Sequence, residues 1–354
     1  MTVNPLFVAC PAPLPETERV LLGHGSGGQL SAGLLRDVIL PSFGAAASAP
    51  GSPLEDAAVV PLGRAEVVMS TDSFVVDPLF FPGGDIGSLA VHGTVNDLAM
   101  MGATPVALAV AFIIEEGFPI PELTLIAESL GRAASDAGVR IVTGDTKVVG
   151  RGAADRLFIT TTGLGVRMPT ARPSAARIRE GDVLLLSGPI GLHGVTVLST
   201  RESLGFESDI RSDSQPLHRV VEAAVGAGGD AVHALRDPTR GGVASALNEL
   251  AAASGVGVLV EETALPVPDQ VAAACELLGL DVLHVANEGC LLAFVEPGAA
   301  DAVLAAMRAR PESAGAVRIG EAVADHPGRV TVRTSVGARR VLDMLVGEQL
   351  PRIC

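Results

Sequence analysis

The residues of this chain best suited to chemistry are a set of carboxylates, one lysine and the last residue. Asp56, Asp72 and Asp145 each stand at the end of a short β-branched run: Ala57–Pro61 follows the first, Glu66–Ser70 precedes the second and Val139–Thr143 precedes the third. Acids at strand ends often only cap turns. Three in one half of the chain, beside the sole lysine, also suit a magnesium ion held with substrate phosphates, because Mg²⁺ takes few carboxylates and completes its octahedron with phosphate oxygens and water. Of the 25 basic residues, all but Lys147 are arginines. An ammonium is a compact point charge that can approach a phosphate oxygen and change its protonation state. The chain ends on Gly347-Glu348-Gln349-Leu350-Pro351-Arg352-Ile353-Cys354. Pro351 stops a preceding helix from running to the end. These residues, fully extended, reach roughly 25 Å at ~3.3 Å per residue. Such a tail could carry a thiol into the chain's own interior or offer it to a partner. Taken alone, it reads equally as a frayed terminus.

Further polar positions fall into three groups. If Asp85–Met101 is helical, Asp85, His92 and Asn96 lie on one side of it. That line suits a helix packed on the core with one edge facing a polar site. Asp85 serves equally as an N-cap, His92 as a satisfied core histidine, and Asn96-Asp97 as an internally bonded pair. The turn Arg236-Asp237-Pro238-Thr239-Arg240-Gly241-Gly242 leads into an apolar helix over 243–253. Asp237 either caps that helix, or Arg240 and the following N–H groups of Gly241 and Gly242 face an anion. Glu288, in Asn287-Glu288-Gly289-Cys290, stands before a strand at 291–295 and either lines a cleft or is solvated. The glycine cluster at 23–29 precedes a helical run, yet no GxxxxGK[ST] phosphate loop occurs anywhere in the chain. His193, near the start of a helix containing Val195 and Leu198, is either exposed or functional.

These residues need a scaffold, and the chain is long enough to build one. Its 354 residues suggest two or three domains, and 48% hydrophobic content supports a sizeable core. Short strands alternate with helices such as 121–137, stopped by Gly138, and residues 168–179 read as the linker between halves. The boundaries expected are 1–168, 169–340 and a tail over 341–354. Residues 44–53 read as a loop. No apolar run is long enough to span a membrane, and the N-terminus lacks the features of a signal peptide, so a cytoplasmic protein is expected. A net charge of −15 argues against nucleic acid as a partner. Cys10, Cys275, Cys290 and Cys354 match neither a zinc site nor a disulfide framework, and the middle two are expected as buried thiols.

Taken together, six sequence stretches carry a resemblance that runs nearly end to end. TDSFVVDPLFFPGGDIG (71–87), GTVNDLAMMGA (93–103), IVTGDTKVV (141–149), RDPTRGG (236–242), ANEG (286–289) and the terminal PRIC (351–354) make the chain similar to the HypE family of hydrogenase maturation factors, within the aminoimidazole ribonucleotide synthetase superfamily. The resemblance implies an α/β (α+β) fold of two domains with a flexible tail, the N-terminal sheets pairing across a homodimer into a barrel. It implies ATP and Mg²⁺ near that interface. It implies that the carbamoyltransferase HypF places a carbamoyl group on the C-terminal cysteine, that ATP drives dehydration of this S-carboxamide to a thiocyanate, and that the cyanide passes to iron on a HypC–HypD scaffold.

The residues fit that chemistry. Dehydrating an amide requires its oxygen to become a leaving group, and γ-phosphoryl transfer achieves this by alignment and charge neutralisation rather than a protein nucleophile. Asp56, Asp72, Asp85 and Asp145 would hold metal and phosphates, with Asp56, Asp72 and Asp145 as the metal ligands. Lys147 would stabilise the moving phosphoryl group. Asn96 and Asp97 match the family's nucleotide-site motif. Glu288 and His92 are candidate bases, Glu288 the first choice. Cys354 carries the substrate. Arg352 favours its thiolate and the adjacent terminal carboxylate opposes it. Two other functions compete. Selenophosphate synthetase or thiamine-monophosphate kinase would use the same superfamily fold, but the former wants a lysine near an N-terminal cysteine and Cys10 has none. A silent docking protein would not need the acids and Lys147.

Overall fold

The computed structural model describes residues 19–25, 28–43, 55–63, 65–202, 210–347, 350 and 352–354. Cys10, Ser26, Gly27, Pro351 and the loop expected at 44–53 lie outside the described residues.

The N-terminal sheet has the order β1-β2-β7-β5-β6, built from β1 (Ala58–Leu62), β2 (Ala65–Phe74), β5 (Ala103–Glu115), β6 (Arg140–Val149) and β7 (Leu157–Arg167). A two-stranded hairpin, β3 (Phe80–Phe81) and β4 (Gly84–Asp85), leads into helix α3 (Ile86–Met100). Helix α4 (Ile120–Asp136) is the crossover between β5 and β6, the parallel pair. Upstream lie α1 (Gln29–Leu34), a π turn over Leu35–Ile39 and α2 (Leu40–Ser42). Among the described residues the sheet is open, with β1 and β6 at its edges.

Helix α3 is apolar nearly all round, and such a helix must be covered on every side. It packs on β2, β5 and β7, on α4, and on the second domain, so only its polar positions Ser88, His92 and Asp97 escape full burial.

The second domain is a seven-stranded mixed sheet of order β14-β13-β10-β12-β8-β11-β9. Its strands are β8 (Val183–Leu186), β9 (Val232–Arg236), β10 (Gly257–Glu261), β11 (Leu292–Val295), β12 (Val317–Val323), β13 (Val330–Arg333) and β14 (Arg339–Leu342). Runs such as VLLL and LAFV are buried throughout because helices cover both faces. In β8, Leu184 and Leu186 face α7 (Gly242–Ser254), while Val183 and Leu185 face α6 (His218–Gly228) and α9 (Pro297–Arg308). Helices α5 (Leu192–Arg201) and α8 (Asp269–Leu278) flank the sheet near the tail.

Two strands run further than their apolar residues suggest. β2 continues to Phe74, so Asp72 lies inside the strand, opposite Thr161 of β7. β6 continues to Val149, so Asp145 and Lys147 sit mid-strand, opposite Ala111 and Ile113 of β5. Neither acid is at a strand end. Backbone ladder bonds carry a strand through polar residues wherever a partner strand is present. The linker 168–179 is coil with one 3-10 turn, and β14 spans the boundary expected at 340.

Candidate active site

Six separate segments meet at one cleft of about 240 Å³. Asp56 arrives from just before β1, and Ser70 and Asp72 from β2. Gly93 and Asp97 come from α3, and Asp237, Thr239 and Arg240 from the turn after β9. Glu288 comes from the loop before β11, and Cys354 from the end of the chain.

Local constraints hold the two loops of the second domain in place. Gly242 has φ +62°, and a Cβ there would stand 2.6 Å from the carbonyl oxygens of Leu283 and Val285. Only glycine permits that approach. The buried Asn287 amide joins the loops: its Oδ1 accepts the Gly191 N–H at 2.7 Å, and its Nδ2 donates to the Pro238 carbonyl at 2.9 Å. Asp213 accepts the N–H groups of Glu288 at 3.2 Å and Gly289 at 3.0 Å. A Cβ on Gly289 would fall 1.6 Å from the Asp213 carbonyl oxygen. Asn96 takes part in this bracing rather than in the cleft. Its Oδ1 accepts from Leu217 N–H at 2.7 Å and its Nδ2 donates to the Gln215 carbonyl at 3.1 Å.

The cleft concentrates negative charge. Carboxylate oxygens of Asp56, Asp97 and Asp237 lie within 4.8 Å of one another. Arg236 compensates one of them, its Nη1 standing 3.0 Å from Asp56 and 3.1 Å from Glu249. Burial, with help from neighbouring acids, pushes Asp56, Asp97 and Glu288 well above the usual carboxylate range and lifts Asp237 to about 6. Buried Asp56 Oδ2, Asp237 Oδ2 and Glu288 Oε1 have no hydrogen-bond partner among the described residues. Desolvated anionic oxygens without partners are costly. A hard divalent cation answers both the repulsion and the missing partners, so these residues fit Mg²⁺. Arg240 is the cleft's cation, its charge favoured first by Cys354 and also by Asp72.

The candidates read from the sequence divide accordingly. Asp56, Asp72, Asp97, Asp237, Arg240, Glu288 and Cys354 converge, and Gly241 lines the adjoining pocket with Arg240 and Cys354. Asp237 is no helix cap; α7 has Gly241 at its N-cap and no side-chain cap. Asp85 is a correction: its carboxylate accepts the Gly87 and Ser88 N–H groups in a capping box at the start of α3. His92 is another. Its Nδ1 meets Ser214 Oγ at 3.0 Å, and burial lowers its pKa to about 4, so it is a neutral packing residue. Asp145 and Lys147 pair with each other, with side chains 61% and 66% exposed, on edge strand β6. Three strand spacings, ~14 Å at ~4.8 Å each, separate β6 from β2. One chain therefore does not bring Asp145 to Asp56 and Asp72, and the three-acid cluster is Asp56, Asp97 and Asp237 instead. Sequence reasoning missed Arg236, Asp213 and Asn287. Arg236 was detectable as a charge closing an apolar strand. Asp213 carried no signal, since its value comes from the loop packed on it.

The tail is not frayed. Val75 N–H donates to the Cys354 carbonyl at 3.0 Å and Asp77 N–H to that of Arg352 at 3.2 Å. Arg352 Nε donates to the Val75 carbonyl at 2.9 Å, and its guanidinium pairs with Asp155. Ile353 is only 4% exposed. His193, expected on a loop or first turn, is fully buried and reaches the Ile353 carbonyl. Cys275 and Cys290 are buried free thiols as expected.

Comparison with known proteins agrees. The AIR synthase related protein N-terminal domain model matches residues 54–167 and its C-terminal domain model residues 179–333. Carbamoyl dehydratase HypE of Bradyrhizobium diazoefficiens is 55% identical over 333 residues, covering 94% of this chain and 95% of that protein. The HypE–HypF complex contains a chain that superimposes with a TM-score of 0.83 at 46% identity, covering 88% of this chain and 99% of that one. HypE in complex with ATP superimposes with a TM-score of 0.79 at 48% identity, covering 95% and 100%. The chain belongs to the AIR synthase related family and, within it, to the HypE carbamoyl dehydratases.

Proposed function

We propose that this protein dehydrates an S-carboxamide on its own Cys354 to a thiocyanate, using ATP, and so supplies cyanide for the iron of [NiFe] hydrogenase. The observation that carries this reading is the seating of the chain's last residue in the wall of an acidic cleft, beside Arg240 and Glu288. A cleft whose substrate is tethered to the chain needs no separate subsite for it.

The chemistry balances as R–S–C(O)NH₂ + ATP → R–S–C≡N + ADP + phosphate. The γ-phosphoryl group moves onto the amide oxygen, one N–H proton leaves, and loss of phosphate with the second N–H proton forms the C≡N bond. Asp56, Asp97 and Asp237 would hold Mg²⁺, with Asp72 beside them. Bound there, the ion would neutralise phosphate charge. Arg240 orients and stabilises anionic oxygens at the tip of the tail. Glu288, lifted above the ordinary carboxylate range by burial, is the stronger base for it and takes an N–H proton. The backbone bonds from Val75 and Asp77 hold the carrier in line.

Lys147 and Asp145 act in this reading across a homodimer. Among the described residues β6 pairs with β5 alone, and it presents Ile141, Val142 and Val148 to solvent at 44%, 56% and 67% exposure. A long, apolar, unpaired edge is a pairing surface, and a second copy there covers it. HypF is the carbamoyl donor's enzyme and a HypC–HypD scaffold the cyanide acceptor, in the cytoplasm; no helix among the described residues is long and apolar enough to cross a membrane.

Intact-mass spectrometry after incubation with HypF, carbamoyl phosphate and ATP tests the reading. A carboxamide adduct on Cys354, followed by loss of one water when ATP is present, is expected. No adduct on Cys354 overturns the proposal, and an adduct that never dehydrates makes the protein a docking carrier instead.

A further inference from the structure

We infer that His193 is a positioning residue for the carrier tail: its ring, held in place by Ser212, fixes the peptide next to Cys354 in the cleft. The inference rests on the proposed reading, in which Cys354 must be loaded outside the cleft and return to it.

His193 lies in the first turn of α5, fully buried. Its Nε2 is 2.7 Å from the Ile353 carbonyl oxygen and its Nδ1 is 2.7 Å from Ser212 Oγ. A carbonyl oxygen only accepts, so Nε2 carries the proton. Burial lowers the pKa of His193 to about 4, so the ring is neutral and Nδ1 is an acceptor. The Ser212 hydroxyl therefore donates to Nδ1, while its oxygen accepts the Ser214 N–H at 3.1 Å. Phe81 fixes the ring from another side, edge to face with centroids 5.4 Å apart. The Ile353 carbonyl selects the tautomer, and Ser212 and Phe81 hold the ring in the orientation that reaches the tail.

The ring does not line the cleft. It acts through the chain, one residue from the reacting sulfur. Next to it, Gly194 admits no side chain. A Cβ there would stand 2.5 Å from Val285 Cγ1 and 3.1 Å from Leu350 Cδ1, so the start of α5 is packed directly under the tail. Arg201, at the other end of α5, donates to the Arg352 carbonyl at 2.7 Å. One helix thus grips two successive tail carbonyls. When the tail departs, the buried Nε2–H loses its acceptor, and this asymmetry favours return. Loss of one such bond shifts an equilibrium by about tenfold.

The test follows alkylation of Cys354, Cys275 and Cys290 by iodoacetamide in the full-length protein, resolved by peptide mass spectrometry. His193→Ala should raise the rate at Cys354 about tenfold and leave Cys275 and Cys290 at wild-type rates. His193→Gln, whose side-chain amide can donate to the same carbonyl, should restore most of the protection. Ser212→Ala, which removes the partner of Nδ1 but keeps the ring, should give a smaller selective rise. An unchanged Cys354 rate in His193→Ala overturns the inference, as does a parallel rise at all three thiols. If His193→Ala does not fold, a Cys354 rate unchanged by Ser212→Ala overturns it. The assay needs neither ATP turnover nor a carbamoyl donor, so failure of the dehydratase reading and failure of this one are separable.

Discussion

Asp237→Asn gives the sharpest test of the acid cluster, because two opposite effects are expected. Asp237 Oδ2 is buried without a hydrogen-bond partner, and its neighbours Asp56 and Asp97 present oxygens within 4.8 Å. At that separation and an effective dielectric of ~20, one ionised pair repels by about 3.5 kcal/mol. Independently, burial lifts Asp237 from 3.8 to about 6. At 1.36 kcal/mol per pH unit, that displacement opposes the folded, ionised form by about 3 kcal/mol. Arg236 already compensates Asp56 at 3.0 Å, so a net gain of about 1–3 kcal/mol is expected for the isosteric amide in metal-free protein. With an unfolding entropy of ~2.1 cal/mol/K per residue, this raises the midpoint by about 1–4 °C. Added Mg²⁺ should stabilise the wild type by ~2.7 kcal/mol at a hundredfold excess over its dissociation constant, and the variant far less. Thermal unfolding in EDTA and then in a Mg²⁺ series reads both effects. A variant that melts below the wild type in EDTA, or that keeps the full Mg²⁺ response, refutes the assignment of a cation to this cluster.

Three further outcomes are expected. Burial raises Asp213 to about 6, so between about pH 4 and pH 6 the folded chain holds a proton that the unfolded chain has lost, and stability from this group falls as pH rises; urea unfolding should show a decline of up to ~3 kcal/mol in the wild type relative to Asp213→Asn, and equal slopes would remove Asp213 from the account. Gly289→Ala should cost more than ~3 kcal/mol and remove ATP-dependent dehydration, because its Cβ would sit 1.6 Å from the Asp213 carbonyl oxygen; a urea midpoint near wild type would mean that the Glu288 loop is not clamped. Lys147→Ala should accept the carbamoyl group yet fail to dehydrate it, and mixing it with Cys354→Ala should restore dehydration if Lys147 acts across the dimer; no restoration in confirmed mixed dimers would place its action within one chain.

Much of the scaffold is legible from local pattern. The buried strands Val183–Leu186 and Leu292–Val295, the stop at Gly138 and the coil at 168–179 follow from apolar runs, glycine and proline, which act on the backbone within a few residues. The site was legible in parts: seven of its residues were singled out as candidates, and all seven line the cleft. Asp85 and His92 failed for a common reason. Helical spacing places residues on a face, but the object opposite that face decides their role. Asp85 met its own helix's N–H groups, and His92 met Ser214.

Most elements, the family and the inventory of acids were readable along the chain, because periodicity, turn chemistry and motif words are properties of neighbouring residues. Tertiary structure decided which acids share a cleft, that Lys147 stands on an open edge away from it, and that Cys354 is docked rather than loose. Those outcomes depend on desolvation and on hydrogen-bond partners far apart in the chain, 277 positions between Arg352 and Val75, and no spacing along the chain encodes them.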